Sequence, residues 1–581
     1  MKRGLLAIAV GIIAALFLSV ASIFYFEPIL NAHPLLIVAA AVVFFALLWY
    51  IRPFGKAISA WTKPKKVSLA IFLPLFSVLA AFSMRGEQAF LLDNNPLVIG
   101  AVYGGIFLAV AVAALAAIRF FLSFEAPTGE RNVPFYHIFL YMLPMLGASL
   151  FMFIAFFPAA MTPDSLAQWE QAKTQEFTDW HPVMFTWTIM LLTKIWDSPG
   201  IIALFQIALL SLTMGYMGYL MRRFNVHPVL IWAVLIVAAV MPTSAIFSII
   251  IWKDVTYSVS LVFFSLLLVL LVKTGGEEAK KPSFLILFLI GSFVLVFFRH
   301  NGFPVFVITM LFTTIIYRHA WKRLVPAALF IIVLHQVITG PVYDSLEVVG
   351  SDPQEALSIP TQQIANIVVN DGDMTDAQRE YINRLMPLEL WEEKYNPYAV
   401  DPIKFSWGDY DRWVIYNDWP GYFKMWGALV VQNPGLAIEA FLKEASLVWQ
   451  INQPEDGYMN RYVTNLYHGN EFGLVNTVIH PFPTRAASSY LKVDSGVEEI
   501  IWRPALYTFL TVLLFYIAYV RNNWRVWLML LPVALNTAAV AAAIPAQDFR
   551  YLYGNPLFFF AAIFIALLAF APKGGGRLER N

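Results

Sequence analysis

The chain has 581 residues, of which 59% are apolar and 13% are charged, and its formal net charge is +1. A soluble domain typically carries about 25% charged residues, so this composition indicates a membrane protein. The near-zero net charge argues against a nucleic-acid partner. The lack of cysteine in the sequence excludes disulfides, Fe–S clusters and zinc sites with thiolate ligands.

Apolar runs of about 20 residues recur along the chain and match the thickness of a bilayer core. They predict an all-α, polytopic membrane protein of about 14 transmembrane helices with both termini on the cytoplasmic side. The first run follows "MKR" and is interpreted as a retained helix, not a cleaved signal peptide. The predicted helices lie near residues 4–26, 35–51, 67–84, 97–122, 136–159, 199–220, 227–250, 255–273, 283–299, 303–317, 323–340, 501–520, 524–543 and 553–571.

The segment 182–196, "PVMFTWTIMLLTKIW", is also apolar, and the orientation of everything after it depends on whether it spans the membrane. If it does not span, the basic turns before and after it all fall on the cytoplasmic side, as the positive-inside rule requires. The segment is therefore predicted to be a re-entrant or surface-lying helix. The polar loop that contains it then faces outward.

Four parts follow from this topology. Residues 1–135 form accessory N-terminal helices, and residues 136–340 form a transmembrane module with a first outer loop at 160–198. Residues 341–500 are rich in Trp, Tyr and acidic residues and have helical periodicity at 376–386 and 434–449, which predicts a mainly helical external domain. Residues 501–581 form the last helices and a cytoplasmic tail.

The first outer loop begins with "MTPDS" and contains Asp164, which has two readings. An Asp before the run "SLAQWEQAKTQEF" is a common helix N-cap, although Ser165 could cap equally well. Alternatively, Asp164 is a general base in a shielded site. Later in this loop, His181 follows Asp179 and Trp180; it could orient a carboxylate or bind a metal, or be an ordinary interfacial residue.

Three other predicted outer helix boundaries carry cations beside carboxylates. Lys253 and Asp254 stand in "IIIWKDVTYS", where a simple ion pair is the alternative reading, and Arg299 and His300 stand in "FFRHNGF". The third boundary, "AQDFRYLYGN", contains Asp548, Arg550 and Tyr551. Clustered outer cations oppose the positive-inside bias, and Arg bonds phosphate bidentately. The pattern predicts a phosphate-bearing ligand at the outer leaflet.

The order of these features resembles the GT-C superfamily of polyprenyl-phosphate-sugar-dependent glycosyltransferases, related to the protein mannosyltransferases and the aminoarabinose lipid A transferase. The "HPP"-type motif of that superfamily stands here as "HPV", from His181 to Val183, and its "RYL"-type motif as Arg550 to Leu552. The segment "LSIPTQQIANIV" is similar to that of uncharacterised Gram-positive membrane proteins of this superfamily. The sequence departs from it in a lone first-loop Asp, in "KD" instead of "DxD", and in four extra N-terminal spans.

The resemblance implies an inverting transfer of a sugar from a polyprenyl-phosphate carrier to a cell-surface glycan, glycolipid or protein, on the extracytoplasmic face of the cell membrane. Asp164 would be the base, Asp254 and His181 would orient it or the sugar, and neither metal nor cofactor is expected. The implied substrate-binding residues are Lys253, Arg299, His300, Asp548, Arg550 and Tyr551.

Other functional classes remain open. A ligase or polymerase of surface polysaccharides would use a lipid diphosphate donor and depend on Arg299 and His300. A transporter or flippase of lipid-linked sugars would more often contain internal repeats and charged or broken helices at mid-membrane. Here no repeat is found, and the polar residues collect at the predicted outer boundary. A structural scaffold would explain the apolar runs but not the outward cations.

Overall fold

The computed structural model describes residues 34–84, 96–454, 457–492 and 498–570. Within these ranges the secondary structure is helical; isolated β-bridges occur, but no β-strand. The predicted first helix and the basic tail lie outside the described residues, as do both termini. The all-α prediction is confirmed for the described part of the chain.

The helices are numbered in chain order. The N-terminal part contains α1 (Pro34–Ile51), α2 (Phe54–Ser59), α3 (Lys63–Ser83) and α4 (Pro96–Ser123). The next part contains α5 (His137–Tyr141), α6 (Leu143–Ala155), α7 (Pro163–Thr174), α8 (Val183–Thr193), α9 (Pro199–Arg223), α10 (Pro228–Val240), α11 (Pro242–Ala245), α12 (Lys253–Lys273), α13 (Pro282–Phe297), α14 (Gly302–Ile316), α15 (Trp321–Val337) and α16 (Tyr343–Ser345).

The long connection, residues 341–500, includes α16 and continues with α17 (Ser358–Val369), α18 (Asp376–Leu385), α19 (Leu388–Lys394), α20 (Asp401–Lys404), α21 (Trp413–Tyr416), α22 (Trp419–Gln432), α23 (Pro434–Glu444), α24 (Ser446–Trp449), α25 (Pro481–Leu491) and the start of α26 (Glu498–Ile501). The last described part contains α27 (Pro504–Arg521), α28 (Trp527–Ala543) and α29 (Gly554–Leu567).

Nine helical segments of the described ranges are long and apolar enough to cross a membrane, or ten if the bent pair α10 and α11 is one span. The pair bends by 68°, next to Pro242, which lacks the amide hydrogen that would continue the helix. The shorter apolar helices are α6, α8, α13 and α14. The chain is therefore a polytopic membrane protein, while the count of 14 stays a prediction.

Helix α8 covers most of the segment that was expected not to span. It has 11 residues, which at 1.5 Å per residue reach only about half of a ~30 Å bilayer core. It packs against α7, the polar helix of the same loop. By itself it is too short to cross.

Helix α12 lies at the centre of the bundle. It is apolar on all sides, 94% of its span is buried, and it contacts α9, α13, α28 and α29. A helix that is apolar all round is normally surrounded by others. Because Lys253 and Asp254 are its first residues, they are placed in the middle of one end of the bundle.

The long connection has its own apolar core between Leu357 and Ala437. Its predicted helical segments are present as α18 and as α23 with α24. It docks on the end of α28, where the amide N–H of Val400 donates to the carbonyl of Pro545 at 3.0 Å. It therefore covers the end of the bundle at which α12 begins.

Gly302→Ala tests the tight turn between α13 and α14. A Cβ on Gly302 would meet the carbonyl oxygen of Leu295 at 1.9 Å, so the turn must shift. We expect a loss of about 1–3 kcal/mol in unfolding free energy, as for other overpacked sites. The measurement is denaturation of the purified protein in detergent.

Gly427→Ala in α22 is the matched control, because a Cβ there has nothing within 4 Å. Replacing a helical glycine by alanine should leave stability unchanged or raise it by about 0.5–1 kcal/mol. Equal effects of the two substitutions would contradict the close approach at Gly302.

Candidate functional site

A cavity of about 550 Å³ lies between the end of the helix bundle and the long connection. The first outer loop, the start of α12, the α13–α14 turn and the end of α28 supply one part of its wall, and the long connection supplies the rest. Its lining includes Asp164, Asp179, Trp180, His181, Lys253, Asp254, Arg299, His300, Asn301, Asp352, Glu355, Asp401, Lys404, Phe405, Ala539, Val540, Ala543, Arg550 and Tyr551.

Asp164 is in the first turn of α7, but it is not the cap. Thr162 occupies the N-cap position, and its amide N–H donates to the hydroxyl of Ser165 at 3.3 Å. The reading of Asp164 or Ser165 as the cap residue is therefore wrong, since Thr162 already fills that role. The carboxylate of Asp164 is left to face the cavity.

Short backbone and side-chain contacts join the first loop to the start of α12. A parallel bridge pairs Ala160 with Ile250, and the Ser165 hydroxyl donates to the carbonyl of Ile251 at 2.6 Å. The indole N–H of Trp252 donates to the Thr162 hydroxyl at 2.9 Å. These contacts place Asp164 beside the first residues of α12.

Arg550, just before α29, links its own segment to the first outer loop. Its Nη1 donates to Asp164 Oδ2 at 2.7 Å, and its Nε lies 3.1 Å from Asp548 Oδ2. The guanidinium also stacks over the Trp252 ring at 4.8 Å. Burial by itself would raise the pKa of Asp164, but the Arg550 charge, aided by His181, holds it well below its usual range.

A second ion cluster lies at the start of α12. Asp254 accepts from Lys253 Nζ at 3.2 Å and forms an ion pair with Arg299 Nη1 at 3.2 Å. Arg299 also donates to the carbonyl of Tyr551 at 3.1 Å. The predicted Lys253–Asp254 pair is therefore present, but it is shared with Arg299, which brings three cations to one side of the cavity together with Arg550.

The two histidines occupy different positions. His181 is nearly buried with Nε2 3.8 Å from Asp164 Oδ1, and burial, with the nearby Lys253 charge, lowers the pKa of His181 to about 4. It is thus neutral at pH 7. His300 is half-exposed at the rim, where its ring hydrogen-bonds to the carbonyl oxygen of Asp179 at 3.0 Å.

The long connection contributes charged residues that were not predicted as site residues. Lys404 is buried, and its ammonium is 3.0 Å from both Glu355 and Asp401. Phe405 stacks on Trp180 of the first loop, with ring centroids 5.9 Å apart. In the sequence these residues belong to a polar stretch in which charges are ordinary, so no signal distinguishes them.

Eight of the nine predicted site residues line the cavity; Asp548 supports Arg550 from behind. The lining contains four cations, Lys253, Arg299, Lys404 and Arg550, and the carboxylates Asp164, Asp179, Asp254, Glu355 and Asp401. Within the described ranges no three His, Asp or Glu side chains come together in a way that could hold a metal ion. The arrangement is suited to holding an anionic group beside a carboxylate.

The chain belongs to a family of unknown function, DUF6020, which matches residues 138–576. The match begins within α5 and includes the first outer loop, the long connection and the last three long helices, and therefore every lining residue of the cavity. No curated protein and no solved structure matches the chain.

Asp548→Asn should cost more stability than Asp164→Asn. Both remove a carboxylate from Arg550, but the Asp548 side chain is 8% exposed and that of Asp164 is 36% exposed. Breaking a fully buried pair costs about 3–5 kcal/mol, and the cost falls as the carboxylate becomes more accessible to water. Denaturation in detergent of the two variants and the wild type provides the measurement, and the reverse order would contradict the assigned burial.

The lowered pKa of His181 has a consequence for acid stability. The folded protein takes up this proton only near pH 4, whereas the unfolded chain does so near the ordinary value of 6.5. Acidification from pH 6.5 to 4 therefore favours unfolding, by about 3 kcal/mol for this group alone. Above pH 6.5 the group has no effect on stability.

The measurement is unfolding free energy in detergent between pH 7 and pH 4 for wild type, His181→Gln and the control His468→Gln. His468 is exposed in the long connection. The pH dependence should be shallower in His181→Gln and unchanged in His468→Gln. If both variants kept the wild-type pH dependence of the unfolding free energy, His181 would not be buried as described.

Proposed function

We propose that the chain is a membrane glycosyltransferase that moves a sugar from a polyprenyl-phosphate carrier to an extracytoplasmic acceptor. The observation that supports this most is the contact between Asp164 and Arg550 inside a cavity at one end of the membrane bundle. A transfer from a lipid phosphate needs a base for the acceptor and a cation for the leaving phosphate. The contact would supply both, at one end of the membrane bundle.

The reaction would break the bond between the anomeric carbon and the phosphate oxygen, which leaves with the electron pair. The acceptor oxygen forms the new glycosidic bond, and its proton goes to the Asp164 carboxylate, with inversion at the anomeric carbon. Arg550, with Lys253 and Arg299, would hold the leaving phosphate by charge-assisted hydrogen bonds. Asp254 would keep Lys253 and Arg299 in position, since it bonds to both.

Arg550 would also control when Asp164 is a base. Burial favours a higher pKa for the Asp164 carboxylate. The Arg550 guanidinium outweighs this effect and holds that pKa well below its usual range. A carboxylate of such low pKa is a weak base. A donor phosphate that takes part of the Arg550 charge would raise the pKa of Asp164, so that the base becomes effective when the donor is present.

The proposed outer location rests on the distribution of basic residues. Lys273 and Arg521 lie at the ends of α12 and α27 that are opposite to the cavity. Lys273 bonds to the carbonyl oxygen of Ala569, and Arg521 to that of Ala566 at 3.1 Å. Cations concentrate on the cytoplasmic side of membrane proteins, so the cavity would face outward in the cell membrane.

A ligase that uses a lipid diphosphate is the second candidate, because His300 follows Arg299 directly and also lines the cavity. In such an enzyme the essential groups would be His300 and Arg299 and not Asp164. The two reactions therefore require different residues of the same cavity.

Asp164→Asn should lower sugar transfer by about 10²–10⁴-fold, which is the usual contribution of a general base. The assay uses purified protein with a panel of radiolabelled polyprenyl-phosphate sugars and membrane extract as the acceptor source. Arg550→Lys retains the charge but loses the planar fork, so it should weaken the use of donor more than it affects folding.

Asp197→Asn is the matched control, because Asp197 belongs to the same loop, pairs with Lys173 and does not belong to the cavity lining. It should transfer like the wild type. Transfer that survives Asp164→Asn but is lost in His300→Ala would replace the proposal by the ligase. Uptake of a lipid-linked sugar into vesicles without transfer would replace it by a transporter.

A further inference from the structure

A row of aromatic side chains extends from the candidate site over the surface of the long connection, and we call it the aromatic strip. It begins in the cavity lining, where Phe405 stacks on Trp180 of the first outer loop. Beyond the cavity it continues through the sequence "SWGDYDRWVIYNDW", residues 406–419. The members of the strip are Trp180, Phe405, Trp407, Trp413, Tyr416 and Trp419.

Trp407 connects the cavity to the outer part of the strip. Its ring centroid is 6.2 Å from that of Phe405, and the Arg412 guanidinium stacks on one of its faces, 4.2 Å from the centroid. Arg412 forms an ion pair with Asp352, which also lines the cavity. Two contacts therefore hold the Trp407 ring beside the cavity.

Tyr416 continues the strip on the other side of this ion pair. Its hydroxyl donates to Asp352, and its ring centroid is 5.8 Å from those of both Trp413 and Trp419. Asp352 thus bonds to both Arg412 and Tyr416. The strip is therefore continuous from the cavity to Trp419.

The two outer tryptophans of the strip are open to solvent. The exposed fraction is 69% for Trp407 and 68% for Trp413. Because Arg412 covers one face of Trp407, the exposure of that residue comes mainly from its opposite face and its edge. Tryptophan is highly buried on average, and exposed apolar groups that adjoin a cavity mark an interaction site.

Carboxylates stand between the exposed rings. Asp409, Asp411 and Asp418 are all exposed, although Asp411 also accepts from the amide N–H of Trp413 at 2.9 Å. Carboxylates are costly in lipid and are depleted at protein interfaces. The surface therefore suits a ligand that has apolar faces and also carries many hydrogen-bond donors.

A saccharide has both properties. The C–H bonds of a pyranose ring form an apolar face that can pack on an indole ring, and the hydroxyls around the ring can donate to carboxylates. An acyl chain would pack on the indoles but has no donor for the carboxylates. The chemistry of the strip therefore favours a saccharide over a lipid chain.

We propose that the aromatic strip binds a saccharide chain, whose rings pack on Trp407 and Trp413 and whose hydroxyls donate to Asp409 and Asp411. The saccharide enters the cavity along Phe405, which belongs to both the strip and the cavity lining. The assignment of this saccharide as the acceptor of the transfer rests on the proposed function, whereas its binding does not.

The test measures binding in the absence of any donor, by isothermal titration calorimetry of the full chain in phosphatidylcholine nanodiscs. The probes are cellohexaose, chitohexaose, maltohexaose and mannohexaose, and at least one should bind the wild type. Trp407→Ala and Trp413→Ala should each raise its Kd about tenfold, which corresponds to about 1.4 kcal/mol, the scale of one aromatic contact. Both variants should fold, because exposed side chains contribute little to stability.

Trp524→Ala is the matched control. Trp524 is 58% exposed, but it lies just before α28 and therefore at the end of the bundle opposite to the cavity, which contacts the last turns of α28. This variant should bind the saccharide with the wild-type Kd.

Trp407→Cys distinguishes a saccharide from lipid as the occupant of the strip. The chain has no cysteine, so a bimane label on this variant reports on this position alone. Iodide in the water phase should quench the label, and brominated phosphatidylcholine should not. Quenching by the brominated lipid would overturn the proposal and place the strip in the membrane.

Failure of all four saccharides to bind would also overturn the proposal, and so would an unchanged Kd in both strip variants. A wild-type dimer that Trp413→Ala converts to a monomer would assign the strip to a second copy of the chain instead. Saccharide binding by a wild type that transfers no sugar would contradict the proposed function alone. Sugar transfer by a wild type that binds none of the saccharides would contradict this inference alone.

Discussion

The ion pair of Arg550 with Asp164 and Asp548 is the interaction on which the candidate site depends. A buried guanidinium is costly unless carboxylates accompany it, and here one carboxylate approaches from each side. Asp548 precedes α29 and Asp164 opens α7, so the pair joins the start of the last helix to the first outer loop. The pair therefore depends on the close approach of these two segments.

Irregular backbone surrounds this ion pair, and its polar groups have partners at several points. The amide of Asn460 donates to the carbonyl of Gln547 at 2.8 Å, and the amide of Phe549 donates to Asn460 at 3.0 Å. The amide of Tyr467 likewise donates to Met161 at 3.0 Å. Non-helical backbone near a membrane needs such partners. The segment after residue 456 thus holds both loops that carry the ion pair.

The all-α membrane class was predictable from the sequence, and so was a group of charged residues that the structure brings together. Apolar runs predicted the long helices of the described part of the chain. Charges at predicted helix boundaries pointed to Lys253, Arg299 and Arg550, because a charge beside an apolar run is unusual. The bend at Met241 was missed, since the run 227–250 was treated as one helix, although Pro242 was a visible signal. The cap role of Thr162 was missed because Asp and Ser in the same turn are equally good caps.

The opposite wall of the site could not be predicted for a different reason. Glu355, Asp401 and Lys404 come from a polar region, where a charged residue is usually solvated. Only the docking of the long connection on α28 turns them toward the cavity, and that contact joins residues far apart in the chain, Val400 and Pro545. Hydrophobic periodicity indicates which face of its own helix a residue occupies. It does not indicate which distant element packs on that face.

The charge distribution of the cavity has a consequence for the proposed reaction. Asp164 is a poor base while Arg550 is bonded to it. An acceptor that binds before the donor therefore has no effective base beside it. A donor phosphate competes with Asp164 for the same guanidinium, and its binding both anchors the sugar and frees the base. The proposed enzyme should therefore bind donor before acceptor, since the base would be suppressed whenever the leaving group is absent. Such an order would also protect the site from deprotonating water or an acceptor without a donor in place.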